Sequence, residues 1–176
     1  MAGFGDRFVG AMRLDAQTFE EIEHDPSAMG QAITVVIISA VADGLGRLFV
    51  LGSPGLVAAV VGALIGYAAW AGFVWLVGTK VMPDPDTKAD FAETFRVVGF
   101  AAAPGVARVL GIIPLVGLLI RFAVSLWMLA AMVVAVQRVL DYRNIGKAVI
   151  VCVIGFIVYL VVTILLVAPL VLMSRF

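Results

Sequence analysis

Charge is scarce in this sequence. Asp, Glu, Lys and Arg together make up 14% of its 176 residues, where an ordinary soluble domain carries about 25%. A water-soluble globule is thereby excluded, because 63% of the residues are hydrophobic and too few charges remain to solvate a surface. An excess of positive charge is also missing. Twelve basic residues face twelve acidic ones, which leaves nothing to displace counterions from a polyanion and excludes nucleic acid as a partner. Cysteine and histidine are nearly absent: Cys152 alone cannot close an internal disulfide, and with His24 as its one companion it cannot build a Cys/His zinc site or a triad of the usual kind. No catalytic residue, metal or cofactor is expected, and the chain reads as non-enzymatic.

Long apolar runs are what the sequence has in abundance, and the mean hydropathy is +1.13. A crossing needs roughly 20 apolar residues to cover about 30 Å of hydrocarbon. Residues 30–51 supply one, with Asp43 and Arg47 in the later half, and residues 55–77 supply a second with no charge at all. Residues 97–137 form one apolar stretch interrupted only by Arg108 and Arg121, too long for one crossing. Gly111, Pro114 and Gly117 in "GIIPLVG" are turn formers that split it into spans at about 91–110 and 118–138. Residues 148–173 make the fifth span, with Pro169 near its end. The fold class expected is an all-α polytopic membrane protein, a bundle of five transmembrane helices behind a short amphipathic helical segment.

Basic residues orient such a bundle. With the N-terminus inside, Arg7, Arg13, Lys80, Lys88, Arg96, Arg138, Arg143 and Lys147 lie on the inner side, while Arg47, Arg108, Arg121 and Arg175 lie outside. The expectation is an N-terminus in the cytoplasm, a C-terminus outside and no cleaved signal peptide, because the first apolar run follows an acidic stretch instead of a basic one. Two parts are expected: a cytoplasmic segment over residues 1–27 and a membrane domain over 28–176. In the first, Phe4, Phe8 and Met12 recur every four residues and read as the anchor of a helix floating in the inner interface. Asp15 and Thr18 both offer caps for a second short helix; Thr18 with Glu21, and later Thr87 with Asp90, have capping-box spacing, while Glu93 and Arg96 are spaced for a local ion pair.

A short amphipathic start, the segment "FEEIEHDPSAMGQA", the helix "FAETFRVVGFAAAP", the hairpin "IIPLVG" and a span containing Trp127 together resemble the Yip family of Ypt/Rab-interacting membrane proteins, specifically its compact prokaryotic members. The resemblance implies a five-span bundle with a cytoplasmic N-terminus in a prokaryotic cytoplasmic membrane. Eukaryotic members are associated with Rab GTPases and vesicle traffic, and prokaryotic ones have no settled activity. The long N-terminal region with a "DLYGP"-like motif is lacking here, so Rab binding is the property that carries over least.

Candidate sites fall into three groups. Arg47, Arg108 and Arg121 at outer helix ends, with Asp43 one turn deeper than Arg47, form a polar intramembrane cluster, read either as an Asp43–Arg47 pair among snorkelling arginines or as an anion or headgroup site. Gly62 and Gly66, a GxxxG pair, with Gly99 and the kink-forming Pro104 are helix-packing positions. The inner acids Glu20, Glu21, Glu23, Asp25, Asp84, Asp86, Asp90 and Glu93 read as a solvated face. The function expected is a non-enzymatic scaffold for membrane organisation, of the trafficking type, whose partners are membrane lipids and a second copy or another membrane protein. The alternative is a small oligomeric transporter or channel for an ion or lipid, using Asp43 and the outer arginines. It ranks second because two spans carry almost no polar residue.

Overall fold

The structure is a computed structural model that describes residues 3–46, 56–113 and 115–158. Helices make up nearly all of it, and no strand occurs among the described residues. In chain order they are α1 (Phe4–Met12), α2 (Ala16–His24), α3 (Ala28–Gly46), α4 (Leu56–Leu76) with a π-helical turn at Val77–Val81, α5 (Phe91–Phe100) followed by a 3₁₀ stretch at Ala103–Ile112, α6 (Gly117–Val139), and α7 (Ile145–Val158). Among the described residues, four units are long and apolar enough to cross a membrane: Ala28–Gly46, Val60–Val81, Phe91–Ile112 and Gly117–Val139. α7 is apolar where the fifth crossing is expected to begin. The rest of that crossing, including Pro169, lies outside the described residues, as do Arg47 and Pro114.

The bundle presents apolar side chains outward as well as inward. Leu118, Leu119, Phe122 and Leu126 on α6 and Val153, Phe156 and Ile157 on α7 are all more than half or nearly half exposed. Such a surface is stable against hydrocarbon and not against water.

α3 packs most extensively along the Phe91–Ile112 span, and the two run parallel. Ala32 faces Gly99, Ser39 faces Ala102 and Gly105, and Gly46 faces Arg108. Small residues permit this approach: a Cβ added at Gly99 would stand 3.0 Å from that of Ala32, and one at Gly46 would collide with the carbonyl oxygen of Arg108.

The kink expected at Pro104 takes the form of a change of helix type. Proline has no N–H, and its ring clashes with the carbonyl four residues back, so the α-helix ends at Phe100 and the chain continues as 3₁₀. The break frees carbonyls inside an apolar region, where an unmet acceptor is costly. Gly105 N–H donates to the Ala102 carbonyl at 2.8 Å, and the buried Ser39 hydroxyl donates to the same oxygen at 2.7 Å.

Helix starts also differ from expectation. Of the two caps expected for α2, Asp15 is the one used, accepting from Gln17 N–H at 3.2 Å and from the Thr18 hydroxyl at 2.7 Å, so the Thr18–Glu21 box does not form. α5 is capped reciprocally by Asp90 and Glu93, which displaces the expected Thr87–Asp90 box. A cap must sit where the chain turns into the helix, and Thr87 is held instead in the preceding loop by the Leu140 carbonyl at 2.6 Å.

Ser39→Ala is expected to lower stability in nanodiscs by about 1 kcal/mol, the usual worth of one such hydrogen bond. Thermal unfolding with an intact-bundle probe checks it, and an unchanged midpoint would show that Gly105 alone suffices for the broken helix.

Candidate functional site

Polar chemistry collects at the two ends of the bundle. At the end that carries the 111–117 hairpin, α3, the 3₁₀ stretch and α6 bring Asp43, Arg108 and Arg121 together. Arg108 Nη1 stands 3.8 Å from Asp43 Oδ1, with both side chains about a quarter exposed. Its Nη2 donates to Ser125 Oγ at 3.3 Å, and that hydroxyl donates to the Arg121 carbonyl one turn back at 2.8 Å. Arg121 donates through Nη2 to the Gly46 carbonyl, the end of α3, where a cation also suits the helix dipole. Asp43 therefore has Arg108 as a partner; Arg47 falls outside the described residues. Ser125 was not singled out by the sequence, although its i+4 spacing from Arg121 put it on the same face.

At the opposite end, α1, α2, the 82–90 and 140–144 loops and the start of α7 form a platform. Its centre is Arg7, whose side chain is 1% exposed. The guanidinium donates to Glu21 at 2.8 Å, to Asp25 at 2.5 Å and to Gln31 of α3 at 3.3 Å. Burial pulls the Arg7 pKa down, but bonds to Glu21 and Asp25 outweigh it and hold it above the ordinary arginine value. Asp25 in turn is held down to about 2, by bonding to Ser27 and then by Arg7. Arg96, also buried, donates to the carbonyls of Ile22 and Glu23 at 3.3 and 2.5 Å and so closes the last turn of α2. Trp127 Nε1 donates to the Met12 carbonyl at the end of α1, at 2.8 Å.

The loops are tied by charge. Arg143 meets Asp86 at 2.6 Å, Lys147 pairs with Asp84, and the Tyr142 hydroxyl donates to the Met82 carbonyl at 2.9 Å. Glu21, Asp25, Asp84 and Asp86 are thus ion-pair partners and not merely solvated decoration. The local Glu93–Arg96 pair does not form, because Glu93 serves the α5 cap while Arg96 turns to α2. Arg7 carried no sequence signal beyond its place in an amphipathic pattern, and the spacing signal at Arg96 pointed to Glu93 instead of to α2.

Phe4, Phe8 and Met12 lie half-buried against the core of the bundle, while Arg7 and Ala11 are the fully buried residues of α1. α1 is therefore docked on the protein as well as available to an interface. Gly62 and Gly66 have no described atom within 4 Å of an added Cβ and border an apolar cavity of about 530 Å³ with Trp70 and Met132. Gly99 and Pro104 lie in the α3 contact described above. Between the two ends the interior is apolar, with Val35, Val36, Val97, Phe100, Ala131 and Val136 fully buried. Among the described residues no group of three or more His, Cys, Asp or Glu side chains could hold a metal.

The sequence model of the family described as Yip1 domain matches residues 9–166, from within α1 to beyond the last described helix. No curated protein matches, and no solved structure matches.

Arg7→Gln is expected to cost roughly 1–3 kcal/mol, since it removes the buried cation that Glu21, Asp25 and Gln31 share while both carboxylates reach some water. Amide exchange of residues 4–12 is the measurement, and exchange as slow as in the parent would show that apolar contacts alone hold α1. At the other end, Asp43→Asn and Arg108→Gln are expected to couple by about 0.5–1 kcal/mol in a double-mutant cycle, the range of a partly exposed pair. Strict additivity would mean the two charges do not interact.

Proposed function

The chain belongs to the Yip1-domain family of integral membrane proteins, and from that premise we propose that it is a non-enzymatic membrane-organising scaffold. In this reading the bundle crosses the cytoplasmic membrane five times, with residues 1–27 as a cytoplasmic segment, residues 28–176 as the membrane domain and the C-terminus outside. The eight-to-four excess of Lys and Arg at the platform side supports that orientation. Its partners are membrane lipids and other membrane proteins, including a second copy.

The observation that carries this reading is the ordered platform itself. α1 and α2 are cemented to the bundle by a buried arginine with two carboxylates and a glutamine, a structure suited to presenting a fixed face beside the membrane. A transport pathway would instead need polar groups from side to side. Among the described residues the two polar ends are separated by fully buried Val35, Val36 and Phe100, and the Ser39 hydroxyl between them is engaged with a backbone carbonyl.

Proteoliposomes holding the purified protein are expected to pass ions and labelled lipids no faster than protein-free liposomes, with Asp43→Asn making no difference. Flux above background that Asp43→Asn abolishes would transfer the assignment to the transporter reading. Labelling of single cysteines at positions 5 and 175, in a Cys152→Ser background, is expected to place them on opposite sides. Both on one side would refute the five-span topology.

A further inference from the structure

α1 and α2 stand alongside the bundle as a helical hairpin. α1 is rooted by Arg7, which donates to Gln31 in the first turn of α3. From there it climbs until the Met12 carbonyl meets the Trp127 indole at 2.8 Å, and it packs on the 3₁₀ stretch Ala103–Ile112, the half of that span nearer the 111–117 hairpin. α2 returns beside it, with Thr18 against Gly10, down to Glu20 at 4.0 Å from Arg138 and to Arg96 at its last turn. The height of the turn at residues 13–15 follows from Trp127. That residue lies twelve positions before the end of α6 at Val139, which is about 18 Å along the helix axis. Helical side chains lean toward their own N-terminus, here the far end of the bundle, so the indole adds to this height instead of reducing it.

The surfaces of the two flanks do not match. On the α1–α2 flank the exposed side chains are polar, Arg13 and Asp15 in the turn and Gln17 just beyond it, while Ala11, Phe19 and Ile22 are turned fully inward. On α7 the opposite holds from the first turn upward. Lys147 fixes that turn to the platform through Asp84, yet Ile145, Val149 and Ile150 are exposed, the last two only about 7 Å along the helix. A level sheet of hydrocarbon that covers them would also cover Arg13 and Asp15 on the other flank, where a charge is expensive unless water or a headgroup reaches it. Beyond Trp127, α6 has ten residues left, about 15 Å against the roughly 30 Å of an ordinary hydrocarbon core.

We infer that the bilayer surface at the platform end is not level around this protein: it meets α7 near its first turn and rises to the α1–α2 turn on the other flank, where phospholipid headgroups and water sit against Arg13, Asp15 and Gln17. The partner of this polar flank is a leaflet thinned locally by the protein. The mismatch is carried by lipid, which deforms at a modest cost per ångström, and not by charges in hydrocarbon. A bundle with such a collar both seeks thin membrane and makes it, which organises lipid without an enzymatic step. The inference rests on the membrane-spanning reading of the bundle and stands whether the chain is a scaffold or a transporter.

Thiol labelling of the full chain in phosphatidylcholine nanodiscs tests it. Gln17→Cys and Ile150→Cys, each in a Cys152→Ser background, are exposed to a membrane-impermeant maleimide. A nanodisc leaves both bilayer surfaces open, so the outcome does not depend on which side the platform faces. Although position 17 stands further from the platform end, Gln17→Cys is expected to react about tenfold or more faster than Ile150→Cys, because the reactive thiolate forms only where water reaches. Its rate is expected to change less than about threefold as the acyl chains lengthen from about 14 to about 22 carbons, since the leaflet follows the protein. Slow reaction at both positions would put the hairpin turn in hydrocarbon and overturn the inference. Fast reaction at both would mean that the platform end stands clear of the membrane on every flank, and overturns it too. So does a larger fall in rate at position 17 with chain length, the mark of a level boundary. Where either protein does not accumulate, Arg13→Cys and Val149→Cys take the two places with the same expectations. Flux through proteoliposomes tests the scaffold role separately, and neither result decides the other.

Discussion

The constraint on which the rest of this structure depends is the fate of helix C-terminal carbonyls. A helix leaves its last carbonyls unbonded, and near hydrocarbon water is a poor remedy. Here a side chain from a distant element supplies a donor at one helix end after another. Trp127 serves Met12 at the end of α1, Arg96 serves Ile22 and Glu23 in α2, and Arg121 serves Gly46 of α3. Tyr142 serves Met82 just past the π-helical turn, Ser39 serves Ala102 at the break after α5, and Thr87 serves Leu140 after α6. Each of these bonds fixes where one helix stops and also which neighbour it stops against. The order of the bundle is therefore written largely in its terminations.

Much of the architecture was legible in one dimension and the terminations were not. Apolar runs of about 20 residues mark crossings because the hydrocarbon thickness leaves little latitude, and the turn formers around Pro114 separate two of them. The Asp43, Arg108 and Arg121 grouping was legible for a related reason: charges in apolar runs are forced toward helix ends, and three ends on one side must lie near one another. Partner choice was not legible. Arg96 has Glu23 and Glu93 both within reach of plausible geometry, yet takes carbonyls of α2 because Glu93 is already the cap of its own helix. Arg7 sits among Phe4, Phe8 and Met12, so amphipathic spacing assigns it to water, whereas the fold supplies two acids and a glutamine that bury it.

The same logic explains why proline, usually a breaker, is tolerated within a span. Pro104 costs an α-helical hydrogen bond, but its 3₁₀ continuation recovers a shorter-range one, and Ser39 meets the oxygen left facing α3. The parallel approach of α3 at Gly99 and Gly105 brings that hydroxyl within reach. Small residues and the broken helix are thus one feature: without close approach Ser39 would not span the gap, and without the break it would have no acceptor.

A further consequence concerns which parts of the molecule respond to their surroundings. The donors that end the helices are guanidinium, indole, phenol and hydroxyl groups, none of which ordinarily changes protonation near neutral pH. The bundle they fix is accordingly indifferent to proton concentration over that range. Carboxylates engaged with side-chain cations, such as Asp25 and Asp84, are held low and stay ionised there too. The platform groups that titrate nearer neutrality are Glu23, raised to about 7 chiefly by burial, and His24, held above the ordinary histidine value by its bond to the Glu20 carbonyl.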